Sequence, residues 1–260
     1  MNVVLPQKGN GKSFKMNENK LANVLSRFNC KERNLLVRYV LGDREKPLSL
    51  CDEFKREVEK KLNIEIKKDA WWATDYHINW LAGALAYYYE GDQGLHTSAR
   101  RVPRCNKLKM ITTGKTPQEK EKRLIEGNQE DIDLVVASGR DLILIETKAY
   151  GRWDDEQLES KLARLHLLRN QHEETAKEAA HRVCMYFLLM SPNEGELRKI
   201  NDNWPEWRGK DSKVPWLELR LPPVILEVSR CDERGRKMAN NNWWRIVEHG
   251  AGKPKGSKRA

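Results

Sequence analysis

Residues 131–148 read DIDLVVASGRDLILIETK. Two apolar stretches, 131–137 and 141–146, flank a short Ser138-Gly139-Arg140 link. This is the strongest hairpin signal in the chain. Both strands are apolar on both faces, which predicts a hairpin inside a covered sheet. A turn centred on Gly139-Arg140 pairs Ser138 with Asp141, Val135 with Leu144 and Asp133 with Glu146. Directly opposed side chains have Cβ atoms ~4.5–5.5 Å apart. Lys148 shares the side of Glu146, because side chains alternate along a strand. Asp131 falls opposite Lys148.

Two carboxylates facing each other repel, and burial raises the cost. A hard divalent cation relieves both problems. Such an ion activates water and stabilises charge on a phosphate under attack. Asp133 and Glu146 are therefore candidate metal ligands, with Lys148 beside the attacking water. The plainer alternative is an Asp131–Lys148 ion pair, with Asp133 at the solvent end of its strand.

Outward from the hairpin, residues 95–124 carry nine Lys and Arg residues against Glu119 and Glu121. Arg100, Arg101, Arg104, Lys107 and Lys109 are candidate phosphate contacts, since cations neutralise a nucleic-acid backbone. A solvated loop is the alternative. A strand is expected near 108–112. Residues 70–90, AWWATDYHINWLAGALAYYYE, are apolar all round and read as one long buried helix. Residues 154–175 predict an amphipathic helix with Leu158, Leu162, Leu165 and Leu168 on one stripe. VCMYFLLM (183–190) then reads as a buried strand, and a helix between two strands suggests a crossover to a parallel position.

The N-terminal stretch, 16–69, reads as three helices, the third capped by Ser49. VILEVS (224–229) and WWRIVE (243–248) read as strands. The composition supports a packed protein: 39% of 260 residues are hydrophobic, and nine Trp argue against wholesale disorder. Core packing is the expectation for the Trp residues, with base stacking as the alternative. A net charge of +10 favours a polyanionic partner.

Other chemistries find little support. Five Cys at wide spacings give no zinc clip or disulfide framework. GNGKS (9–13) has Pro6 where a phosphate loop needs its first Gly. No Gly-x-Ser-x-Gly elbow occurs, and the six His lack ligand spacing. His77 reads as a core histidine. No secretory signal or membrane-spanning run is seen, so a cytoplasmic protein without membrane contact is expected.

Asp133 on one strand and Glu146-Thr147-Lys148 ending the next resemble the PD-(D/E)xK nuclease superfamily, also called restriction-endonuclease-like. A helix before the hairpin, then a helix and a strand after it, follow that superfamily's order. The resemblance covers roughly residues 70–190. One departure is Ile132 where the motif has Pro. The resemblance implies an α/β restriction-endonuclease-like core, a mixed sheet flanked by helices. It implies a Mg²⁺-dependent nuclease, with Mn²⁺ as substitute. Asp133 and Glu146 would hold the metal and Lys148 would assist the water. DNA endonuclease activity, in restriction or genome defence, follows by resemblance. The alternative is a catalytically inactive nucleic-acid-binding protein of the same fold.

Members often add an acidic residue from the preceding helix. Asp75 is preferred here over Glu90, with a buried hydrogen bond as its plainer role. Gln157 and Lys161, one turn apart on the following helix, are candidate backbone contacts, although a solvated face is the simpler reading. The expected organisation is a helical extension over 1–69, a nuclease core over 70–190, a packed extension over 191–250 and a basic tail over 251–260. Duplex cutting would suit a homodimer, but no sequence feature marks an interface.

Overall fold

The structure is a computed structural model. It describes residues 20–43, 48–90, 104–110, 118–127, 130–149, 153, 156–175, 182–194, 215–222, 224–239 and 242–250. Its centre is a five-stranded sheet in the order β1-β4-β5-β6-β7. These strands are β1 (Trp71–His77), β4 (Asp131–Ser138), β5 (Asp141–Thr147), β6 (Cys184–Ser191) and β7 (Trp216–Glu218). The β1–β4 and β4–β5 pairs are antiparallel, while β5–β6 and β6–β7 are parallel. The protein is thus α/β with a mixed sheet.

The β4–β5 register is the expected one: Ser138↔Asp141, Ala137↔Leu142, Val135↔Leu144 and Leu134↔Ile145. Gly139 supports the turn with φ +60, a conformation that suits a residue without Cβ. Alternation sends Val135, Leu142 and Leu144 to one face, and Val136, Ile143 and Ile145 to the other. Helices cover both faces. On the first lie α1 (Lys20–Phe28), α4 (Ile78–Glu90) and α5 (Glu156–Thr175). On the second lies α3 (Asp52–Leu62) through Val58 and Leu62. α1 and α4 approach closely at Gly83, where an added Cβ would sit 2.9 Å from the Phe28 ring.

α5 and β6 arise where the sequence places them. Leu158, Leu162, Leu165 and Leu168 are all buried, and β6 pairs parallel to β5 from Asp141↔Cys184 onward. Two elements differ from expectation. Residues 71–77 are not helix but the edge strand β1, paired with β4. An all-round apolar run fits a buried strand as well as a buried helix, and the ladder with β4 decides. The third helix begins after Cys51, which makes no side-chain cap, rather than after Ser49. α2 (Glu32–Val40) buries only Asn34 and leaves Leu36, Tyr39 and Val40 exposed.

Two smaller sheets complete the described chain. β2 (Arg104–Met110) pairs antiparallel with β3 (Gln118–Arg123), slightly earlier than the strand expected at 108–112. β8 (Val224–Cys231) pairs antiparallel with β9 (Trp243–Gly250), as the two apolar runs suggest.

A buried ionic clamp ties these parts together. Arg164 on α5 is fully buried. Its guanidinium donates to Glu130 at 3.0 Å, to the Leu124 carbonyl and to the Asn79 side chain. Glu130 also accepts from Ser160 Oγ at 2.6 Å. The loop before β4, the start of α4 and the middle of α5 are thereby fixed to one another. Arg164→Met strands the Glu130 carboxylate, which should cost about 3–5 kcal/mol of unfolding free energy in urea. The double variant Glu130→Gln/Arg164→Met should recover part of that loss. A single-variant loss below about 1 kcal/mol would show that the clamp contributes little.

Candidate active site

Asp133 and Glu146 sit at the end of the sheet away from the Gly139 turn. They are next in register after Leu134↔Ile145, but the ladder stops at that pair. The Asp133 carboxylate instead reaches one residue further, accepting from Thr147 N–H at 2.7 Å and Thr147 Oγ at 2.8 Å. The two carboxylates are therefore close without being a flat cross-strand pair. Thr147 is the residue that sequence reasoning passed over. Its place between the two motif residues was the available signal.

Asp75 belongs to the same place. β1 pairs with β4 through Thr74↔Leu134 and Tyr76↔Ile132, so Asp75 stands at the register position of Asp133. It has φ +51, rare for a residue with a side chain. Face alternation breaks here on both strands. Tyr76 and Ile132 join the cluster of Ala73 and Val135 rather than the opposite one. The proposed role of Asp75 inside an apolar helix is thus corrected: it lies at a kink in a strand. Asp75, Asp133 and Glu146 fall in one row across three strands. Glu90 closes α4, about 18 Å along its axis from Ile78.

Glu146 is buried and faces α5. Its Oε2 accepts from Lys161 Nζ at 2.7 Å, while Oε1 has no hydrogen-bond partner among the described residues. Lys161 is buried as well, which corrects the reading of a solvated helix face. A polar residue on a helix looks solvent-facing until the strand carboxylate beneath it is located. Burial pushes the Glu146 carboxyl up to about 8; the Lys161 ammonium opposes the rise and the Asp133 carboxylate adds to it.

Lys148 shares the α5 side, as alternation requires. Its Nζ lies over the Trp153 ring at 5.9 Å, within cation–π range, and its backbone N–H donates to the Met190 carbonyl at 2.8 Å. The expected Asp131–Lys148 opposition does not form. Asp131 instead pairs with Lys31, from the loop between α1 and α2, and stands across from His77 on β1. His77 is buried, and its Nδ1 accepts from Asn79 N–H at 3.1 Å.

Arg104, Lys107 and Lys109 lie on β2, and α5 runs beside both β2 and β3. Their side chains, that of Gln157, and all of Arg100 and Arg101 fall outside the described residues. Among the described residues, no three His, Cys, Asp or Glu side chains converge closely enough to enclose a metal ion. No described helix is long and apolar enough to cross a membrane.

The raised Glu146 pKa has a stability consequence. The folded state holds a proton up to about pH 8, whereas the unfolded chain releases it near 4.5. The stability so gained is fully present below pH 4.5 and is lost as pH rises through about 8. The thermal midpoint of metal-free protein should therefore fall across this window, by up to about 1.4 kcal/mol of stability per pH unit. Glu146→Gln should flatten the slope; an unchanged slope would mean that Glu146 does not hold the proton. Neither a known protein family, nor a curated protein, nor a solved structure matches the chain, so the chemistry of this site rests on its own geometry.

Proposed function

We propose that this chain is a metal-dependent nuclease with a restriction-endonuclease-like core, hydrolysing phosphodiester bonds in DNA. The observation that carries the reading is the buried Glu146 carboxylate. One of its oxygens has no hydrogen-bond partner among the described residues, Asp133 lies beside it, and Lys148 follows two residues along the chain. A buried, unpartnered carboxylate oxygen is costly unless a cation or proton satisfies it.

The donor set fits Mg²⁺, with Mn²⁺ as substitute. Magnesium is commonly held by one or two carboxylates, with water and substrate phosphate completing its shell. Two carboxylates therefore suffice, and Asp75 at the same register position is the third candidate. When bound, the metal lowers the pKa of a water and neutralises charge on the scissile phosphate. The protein's own groups do the rest. Thr147 fixes the Asp133 carboxylate by two hydrogen bonds. The Lys148 ammonium, over the Trp153 ring, would orient the attacking water or stabilise the pentavalent phosphate. The β2–β3 ribbon beside α5 would bring Arg104, Lys107 and Lys109 to the DNA backbone, with Arg100, Arg101 and Gln157 as further contacts. A role in restriction or genome defence fits this chemistry.

One observation favours a second reading. Lys161 already places an ammonium on Glu146. A site neutralised from within could serve a nucleic-acid-binding protein without catalysis.

Cleavage of plasmid DNA by purified protein separates the two. Nicking or linearisation should require Mg²⁺ or Mn²⁺, vanish in EDTA, and drop about 100-fold or more in Lys148→Ala. DNA binding that survives Glu146→Ala, with no cleavage under either metal, supports the second reading. Cleavage undiminished in Lys148→Ala rules out this site.

A further inference from the structure

The β8–β9 hairpin presents one face that the rest of the described chain leaves uncovered. Its register sets Leu226 beside Glu248, Val228 beside Ile246 and Arg230 beside Trp244. These six residues share a face, since side chains alternate along each strand. Leu226, Val228, Trp244 and Ile246 are 63%, 66%, 64% and 58% exposed. The opposite face is mixed: Cys231 is buried, Glu227, Ser229 and Val247 are half-buried, and Trp243 and Arg245 are exposed. Neither strand joins either of the two core clusters.

Physical chemistry requires a cover for such a face. A two-stranded hairpin alone is marginal in water and needs further strands or a packed surface. A contiguous apolar patch on a soluble protein marks an interaction site. The side chains here are mainly aliphatic, which suits another protein surface better than the bases of a nucleic acid.

The charges on the face indicate which protein. Arg230 and Glu248 are exposed at diagonally opposite corners, with the apolar side chains between them. Arg230 makes a hydrogen bond to the Ala239 carbonyl at 3.2 Å, which keeps it at the rim. Stacked sheets cross at about 30°. A two-fold axis lying between two copies of this face, inclined to match, exchanges the two corners. Arg230 of each copy then meets Glu248 of the other, and the apolar centres close on themselves. The face is thus complementary to itself, the condition for a symmetric dimer.

We propose that the β8–β9 face is a homodimer interface, joining two copies of this chain sheet to sheet. The inference is independent of the nuclease reading. If both hold, the dimer carries two sites, one for each strand of a duplex.

Sedimentation velocity of the full chain tests it. Wild type should run as a dimer at micromolar concentration. Val228→Glu and Ile246→Glu should each give a monomer with unchanged circular dichroism. Arg230→Glu and Glu248→Arg should each weaken the dimer about tenfold, since the corner contact occurs twice. The double variant Arg230→Glu/Glu248→Arg should restore it. A monomeric wild type overturns the proposal. So does a dimer indifferent to all these changes, or an assembly that keeps growing with concentration. Single charge variants that weaken the dimer without rescue by the double also overturn the two-fold arrangement.

Discussion

The register of β4 against β5 is the constraint on which the rest depends. One residue of slip, with β4 keeping its faces, would turn Leu142 and Leu144 toward α3 and Ile143 and Ile145 toward α5. It would also carry Glu146 away from Lys161. Because both faces are covered and both are apolar, hydrophobicity alone does not choose between these registers. The Gly139 turn does, and the single charged residue near the end of β5 must then find its partner on the α5 side. The fold and the candidate site are set by the same choice.

That choice has an electrostatic cost, and the structure spreads it. Glu146 is neutralised in part by a proton and in part by Lys161. Asp133 is held by hydrogen bonds from Thr147. Asp131 takes Lys31, and Glu130 takes Arg164. Glu130, Asp131, Asp133 and Glu146 thus each have a separate partner, drawn from different elements. Asp131 and Glu146 each keep one buried oxygen with no hydrogen-bond partner among the described residues, and of the two it is Glu146 that feels the neighbouring Asp133 carboxylate, which is why it points to chemistry rather than to structure.

Much of this frame was legible in the sequence. A Gly-containing turn between apolar runs gave the hairpin and its register. The leucine stripe gave α5, and the apolar octet gave β6. What escaped shares a physical cause: it depends on pairs distant in sequence. Lys31 and Asp131 are a hundred residues apart. Lys161 looked like a solvated helix residue because the strand beneath it was not yet in place. Residues 71–77 looked helical because an all-round apolar run carries no period. Arg164 gave no sign of complete burial, since Arg is seldom buried without a partner. The expectation that the Trp residues are core holds for Trp153, which is buried, and for Trp71, Trp72, Trp80 and Trp216, which pack against the core. It fails for Trp243 and Trp244, which are exposed on β9.

The positive φ of Asp75 separates two properties that one side chain usually joins. Few residue types adopt this backbone conformation readily: glycine with ease, asparagine and aspartate at modest cost. Among them only aspartate is also charged. Asparagine would keep the kink and remove the charge. Glycine would keep the kink and remove the side chain. A β-branched residue would remove both, because the chain itself would have to move. Shape and charge at this position are therefore independent variables, and the choice of amino acid there records which of them the protein cannot do without.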